Sequence, residues 1–115
     1  MAERKYSGNE GTKKGAKKKD YSLQVETHGG DTMPVDVRFY EVRNGRMGFS
    51  LTIFKEIAVK GCSVVDGKNG LFVSMPSYKG TDGKYYDYVF PVSAETRESL
   101  YSQLTKLANE LWHEM

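Results

Sequence analysis

The chain is 115 residues long, 38% apolar and 28% charged, with a formal net charge of +2, which suits one ordinary globular domain. No apolar run approaches the roughly 18 residues that a membrane span needs, and the polar start Met1-Ala2-Glu3-Arg4-Lys5 lacks the apolar core of a secretory signal. The single cysteine, Cys62, allows no intramolecular disulfide, so a soluble protein of the reducing cytoplasm is expected.

The charge is spread unevenly. Residues 1–19 carry seven Lys or Arg against two Glu, residues 20–34 carry three acids and no Lys or Arg, and residues 35–115 carry ten of each sign. A polyanion would be met by the first segment or by a local patch, because the rest offers no global positive field. Residues 1–33 are rich in Gly, Lys, Ser, Thr and Asn and hold few large apolar groups, too few to offset chain entropy. They read as a disordered, Lys-rich arm. Tyr21, Leu23 and Val25 alternate like a strand, but His28-Gly29-Gly30-Asp31 breaks the pattern at once, and the stretch is assigned to the arm. A folded domain is expected over residues 34–115.

Val35, Val37 and Phe39 alternate with Asp36 and Arg38, the period of a half-buried strand. Asn44-Gly45 is a hairpin signal, since both residues tolerate positive φ. Met47, Phe49, Leu51 and Ile53 mark one face of the next strand. A third strand is expected from Glu56 to Val65, with Ile57 and Val59 on one face and a bulge at Gly61. Asp66-Gly67-Lys68-Asn69-Gly70 is a turn, and Leu71 to Met75 a fourth strand stopped by Pro76. Residues 77–84 read as a polar loop, and Tyr85 to Val92, aromatic and β-prone, as an edge or terminal strand.

The last element is a helix. Ser93 caps it, Glu95 lies in its first turn, and Leu100, Leu104, Leu107, Ala108 and Leu111 form one apolar stripe. Glu98, Ser102, Lys106, Asn109 and Glu110 face away. The whole is an α+β domain, an antiparallel β-meander of four to five strands with a C-terminal helix packed on it. A core built from about 80 residues buries only roughly 60% of the extended-chain surface. Association through sheet edges or the helix would add burial, so a homodimer is expected.

The stretch Val65-Asp66-Gly67-Lys68-Asn69-Gly70-Leu71-Phe72-Val73-Ser74-Met75-Pro76-Ser77 resembles the signature of the stage V sporulation protein G (SpoVG) family of bacteria. Val35-Asp36-Val37-Arg38 resembles the family's opening strand, Asp82-Gly83-Lys84-Tyr85-Tyr86-Asp87 its following loop, and Pro91-Val92 with Thr96-Arg97 the start of its helix. The likeness covers about residues 34–111. It implies a dimerising α+β domain with strands contributed across the dimer, site-selective binding of DNA or RNA, and gene regulation linked to septation and sporulation. It implies no catalysis and no cofactor. The family usually places two basic residues after Met-Pro-Ser, implicated in nucleic-acid contact; here these positions hold Tyr78 and Lys79. It often has a basic residue at Tyr86 and a histidine at Phe90.

The candidate binding residues follow. In Ser77, Tyr78, Lys79, Lys84, Tyr85 and Tyr86, a Lys can neutralise a phosphate and a Tyr can stack on an unpaired base; aromatic residues are also simply common in strands, and lysines keep edges soluble. Lys13, Lys14, Lys17, Lys18 and Lys19 of the arm would add sequence-independent affinity, or serve only solubility. Arg97, at the helix start, either pairs with an acid such as Asp87 or contacts a phosphate, and Arg43 and Arg46 flank a hairpin as solvated charges. No enzyme is expected. His28 and His113 lack ligand-spaced partners, Cys62 reads as a packed apolar group, Gly67-Lys68-Asn69-Gly70 is too short for a phosphate loop, and Asp66, Asp82 and Asp87 are turn residues. The partners expected are DNA or RNA and a second copy of the chain, with no membrane, metal or small-molecule substrate. The competing assignment is a protein–protein adaptor using Tyr85, Tyr86, Tyr88 and Phe90.

Overall fold

The computed structural model describes residues 18–114. In chain order the elements are β1 (Lys18–Glu26), β2 (Thr32–Arg43), β3 (Arg46–Ile53), β4 (Ile57–Gly67), β5 (Gly70–Ser74), β6 (Ser77–Lys79), β7 (Tyr85–Asp87) and α1 (Ala94–Leu111). β1 to β5 form one antiparallel sheet in sequence order, while β6 and β7 form a separate two-stranded ribbon.

β1 corrects the boundary drawn from composition. Residues 18–26 belong to the folded domain, not to an arm ending at residue 33. Lys18 to Glu26 pair with Tyr40 back to Thr32. An edge strand needs only one apolar face, and Leu23 and Val25 supply it, both buried. The glycines taken as a break are the hairpin connection: Gly30 has φ 91°, its N–H donates to the Thr27 carbonyl at 3.2 Å, and the Thr27 N–H donates to the Asp31 carbonyl at 2.8 Å. The outer rail of β1 is tied to the helix. Gln103 Nε2 donates to the Gln24 carbonyl at 3.0 Å, and Ser99 Oγ accepts the Glu26 N–H at 3.0 Å, so backbone groups of an edge strand are satisfied by side chains.

The β2–β3 hairpin turns at Asn44 (φ 54°) and Gly45 (φ 75°) as its sequence demands. Two bulges then bend the sheet. Phe39 pairs with Phe49 and Val42 with Met47, so Tyr40 and Glu41 oppose Gly48 alone. Phe49 pairs with Cys62 and Leu51 with Val59, so Lys60 and Gly61 oppose Ser50, with Gly61 at φ 84°. Each extra residue raises the local twist. The sheet curls until both edge strands, β1 and β5, pack on α1.

The inward side chains fill that curl. Phe39 lies at the centre, its ring 6.1 Å from Tyr21 edge-on and 5.8 Å from Phe49. Val35, Val37, Met47, Leu51, Val64 and Met75 are buried around it, and Leu100, Leu104, Ala108 and Leu111 close the open side from the helix. Leu107 is half-buried on the margin of the stripe. Ser93 caps α1, its Oγ accepting the Thr96 N–H at 3.2 Å. The expected outward residues Glu98, Ser102, Lys106, Asn109 and Glu110 are all exposed. α1 carries four charged or amide-bearing exposed positions among these and spans no membrane: among the described residues no helix is long and apolar enough to cross one.

Three local expectations change. Ile57 does not share Val59's packing; it pairs with Ile53 at the mouth of a hairpin and is exposed. The β3–β4 connection runs through Phe54 (φ 54°) and Lys55 (φ 57°), left-handed conformations that cost a non-glycine residue about 1 kcal/mol or more each. They are held by the Phe54 N–H on the Pro34 carbonyl at 3.0 Å and by Lys55 Nζ on Asp36 at 3.1 Å. Finally, residues 77–84 are not all loop and residues 85–92 are not one strand. Three residues from each pair with one another, and Val89 turns back to pack on the core.

Candidate functional site

The ribbon is built on a buried foot. Met75 enters the core, and the Pro76 carbonyl accepts the Tyr88 N–H at 2.7 Å. Above that bond Ser77 pairs with Asp87, Tyr78 with Tyr86 and Lys79 with Tyr85. All six residues are exposed, so the ribbon stands in solvent.

Its tip is closed by hydrogen bonds. The Gly80 N–H donates to the Lys84 carbonyl at 2.7 Å and the Gly83 N–H to the Gly80 carbonyl at 3.0 Å. Asp82 is the hub: one carboxylate oxygen accepts the Lys84 N–H at 3.0 Å and the other the Tyr86 hydroxyl at 2.6 Å. The Tyr86 hydroxyl bond, then the Lys84 amide, hold the Asp82 carboxyl below the ordinary carboxylate range. The same bond pushes the Tyr86 hydroxyl up, so it remains a proton donor at neutral pH. The Tyr86 ring lies against Gly80, where a Cβ would fall 2.8 Å from a ring carbon. Glycine is needed there for the ring to lie flat along the tip.

Strand alternation sorts the side chains. Tyr78 and Tyr86 share one face, with ring centroids 5.7 Å apart, and Tyr88 joins them 5.0 Å from Tyr78. These rings are 46%, 42% and 67% exposed. Ser77, Lys79, Tyr85 and Asp87 occupy the opposite face. Lys79 is therefore a neighbour of Tyr85, not of the Tyr78–Tyr86 pair, and Lys84 leaves from the tip. Neither lysine enters an ion pair among the described residues. Asp82 and Asp87 balance the two lysines, so the ribbon carries no net charge.

The other candidate residues are scattered. Lys18 and Lys19 are strand residues opposite Tyr40 and Phe39, not part of an arm. Lys13, Lys14 and Lys17 lie outside the described residues. Arg97 does not pair with Asp87; its guanidinium reaches the Pro91 carbonyl at 3.5 Å and braces the link between ribbon and helix. Tyr101 stands near both groups: burial pushes its hydroxyl up, Asp87 adds to that and Arg97 opposes it. Arg43 and Arg46 are not merely solvated. Arg43 pairs with Glu41 at 3.0 Å, and Arg46 donates to Ser63 Oγ at 2.7 Å. Cys62 is buried, which pushes its thiol up to about 11, so it is protonated and a poor nucleophile at neutral pH. Among the described residues no three His, Cys, Asp or Glu side chains gather as metal ligands.

The model of the SpoVG family matches residues 33–109. The chain belongs to the SpoVG family. Among relatives, "Putative septation protein SpoVG 2" of Listeria monocytogenes is 43% identical over 68 residues, which are 56% of this chain and 67% of the relative. "Putative septation protein SpoVG" of Brevibacillus brevis is 44% identical over 68 residues, 56% and 72% of the two chains. The protein of that name from Agathobacter rectalis is 38% identical over 72 residues, 60% and 83%. The SpoVG match spans β2 to β7 and most of α1, and leaves β1 outside it. The whole ribbon lies within the SpoVG span. The names of these relatives refer to septation.

Asp82 lies in a turn as the sequence leads one to expect, and its bond to Tyr86 is an addition; Tyr88, which the sequence places only in the adaptor surface, joins the Tyr78–Tyr86 face. The repeated Tyr at 86 and 88 is a period-two signal that places both rings on one side, and it was legible in the sequence. The Asp82–Tyr86 bond was not, because it depends on which strand Tyr86 pairs with.

Proposed function

We propose that this SpoVG-family protein is a nucleic-acid-binding regulator that acts as a homodimer in septation, the process its relatives are named for, and in sporulation. The observation that supports this reading is the exposed ribbon, which presents tyrosine rings on one face and two lysines, Lys79 and Lys84, that enter no ion pair among the described residues. Aromatic rings engage bases, and ammonium groups replace condensed counterions on phosphates. Gel-shift titration of the full chain across salt tests it. Affinity for DNA or RNA is expected to fall with rising salt, and the Lys79→Ala/Lys84→Ala variant to bind about tenfold more weakly at low salt. Failure to retard any nucleic acid at low salt would overturn the reading. It would favour the adaptor, to which the ribbon's zero net charge is better suited.

The homodimer rests on exposed apolar surface beside the ribbon. Phe90 is 56% and Val92 85% exposed, and solvated side chains of this size gain about 1.5–3 kcal/mol each on full burial. Light scattering is expected to give twice the 13.0 kDa chain mass at micromolar concentration, and Phe90→Ser/Val92→Ser to shift the mass toward the monomer. A wild-type monomer under these conditions would rule the dimer out.

A further inference from the structure

We infer that the Tyr78–Tyr86–Tyr88 face selects single-stranded nucleic acid over duplex by stacking on unpaired bases; this deepens the function proposed above and rests on it. Three rings share one side of a two-residue-wide ribbon, with successive centroids 5.7 and 5.0 Å apart and planes tilted by 31° and 41°. Rings so close leave no slot between them. They make one contiguous aromatic surface, with Tyr78 in contact with both Tyr86 and Tyr88, and all three residues remain exposed. A duplex hides the faces of its bases within its own stack and shows a ribbon only edges and phosphates. An unpaired strand can turn its bases onto such a platform.

Charge points the same way. A duplex reader gains most of its affinity from many phosphate contacts, yet the ribbon has two lysines and two carboxylates. Lys79 is on the opposite face beside Tyr85, and Lys84 is at the tip. The ribbon is only two strands wide, so a flexible single strand with bases on the rings can carry its backbone round to the tip and the opposite face, where these lysines lie. Tyr78 and Tyr86 form a direct cross-strand pair. The platform is also held in place: Asp82 anchors Tyr86 by its hydroxyl, Gly80 makes room for its ring, and the Tyr88 N–H is fixed to Pro76. Pre-set rings lose little freedom when a base lands on them.

The test is fluorescence polarisation of the full chain with a labelled, unstructured DNA oligonucleotide of about 12 nucleotides, alone and annealed to its complement. The single strand is expected to bind about tenfold tighter than the duplex. Tyr78→Ala/Tyr88→Ala is expected to lose about tenfold on the single strand, to leave duplex binding unchanged, and to keep the wild-type slope of log K against log salt, because stacking releases no counterions. Lys79→Ala/Lys84→Ala, by contrast, is expected to flatten that slope on the single strand by about 1.4. Tyr88→Ala alone and Tyr78→Phe/Tyr88→Phe guard against a folding defect; the first is expected to lose part of the single-strand affinity, and the second to retain it because the rings remain. Duplex bound as tightly as single strand, or alanine variants with wild-type affinity, would overturn this inference while leaving nucleic-acid binding intact. Absence of binding to either probe would overturn both.

Discussion

A chain lacking residues 1–26 is expected to lose about 5 kcal/mol of stability relative to one that starts at Lys18, as measured by urea denaturation followed through circular dichroism. The deletion removes Leu23 and Val25 from the core, worth about 1.5–3 kcal/mol each. It also strips nine paired positions from β2 and leaves Val35, Val37 and Phe39 open along one side. Gln103 and Ser99 lose the backbone groups they hold on Gln24 and Glu26, two bonds worth about 0.5–1.5 kcal/mol apiece. A domain of this size is stable by about 5–15 kcal/mol in all, so the shortened chain should lose a third or more of its stability and be prone to bind its own kind through the bared edge. Equal urea midpoints for the two chains would show that β1 is ornamental and that the core begins at β2.

The second large effect is expected at Phe39. Its ring is fully buried at the crossing point of β1, β2 and β3, touching Tyr21 on one side and Phe49 on the other. Phe39→Ala leaves a cavity that strands fixed by pairing on both sides cannot close, and should cost about 3–5 kcal/mol. Phe39→Leu keeps most of the volume and should cost less than half as much. The urea midpoints of the two variants give the comparison, and equal losses in both would mean that the site collapses freely around the substitution. Neither variant touches the ribbon, so the fraction that remains folded should match the wild type in the gel-shift titration proposed for nucleic-acid binding.

What could be read from the sequence was whatever one element decides alone. The β2–β3 hairpin follows from Asn44-Gly45, the helix from the Ser93 cap and its leucine stripe, and the Gly61 bulge from a glycine inside a strand pattern. What escaped depends on a second element. β1 looked too polar because an edge strand is judged by the one face it buries, and that face is defined only by the helix that covers it. Phe54 and Lys55 carry no turn signal; their left-handed backbone is imposed by Pro34 and Asp36 from the neighbouring strand. The ribbon is shorter than the window over which alternation can be recognised, and its pairing is set by where Met75 and Val89 enter the core. The same limit applies to the site. Tyr78, Lys79, Lys84 and Tyr86 were identifiable as residue types, whereas the separation of Lys79 from the tyrosine face is a matter of register.

The strictly sequential order of the five-stranded sheet has a consequence for how the chain comes to be folded. Each strand pairs only with its immediate predecessor or successor, so every hairpin can zip as soon as its own two strands are available, at low contact order. The bonds from Ser99 and Gln103 back to Glu26 and Gln24 bridge 73 and 79 residues and belong to a helix made after the whole sheet. During synthesis the curled sheet must therefore wait, apolar concavity uncovered, until α1 has cleared the ribosome. The window for chaperone capture or misassembly closes only as α1 docks.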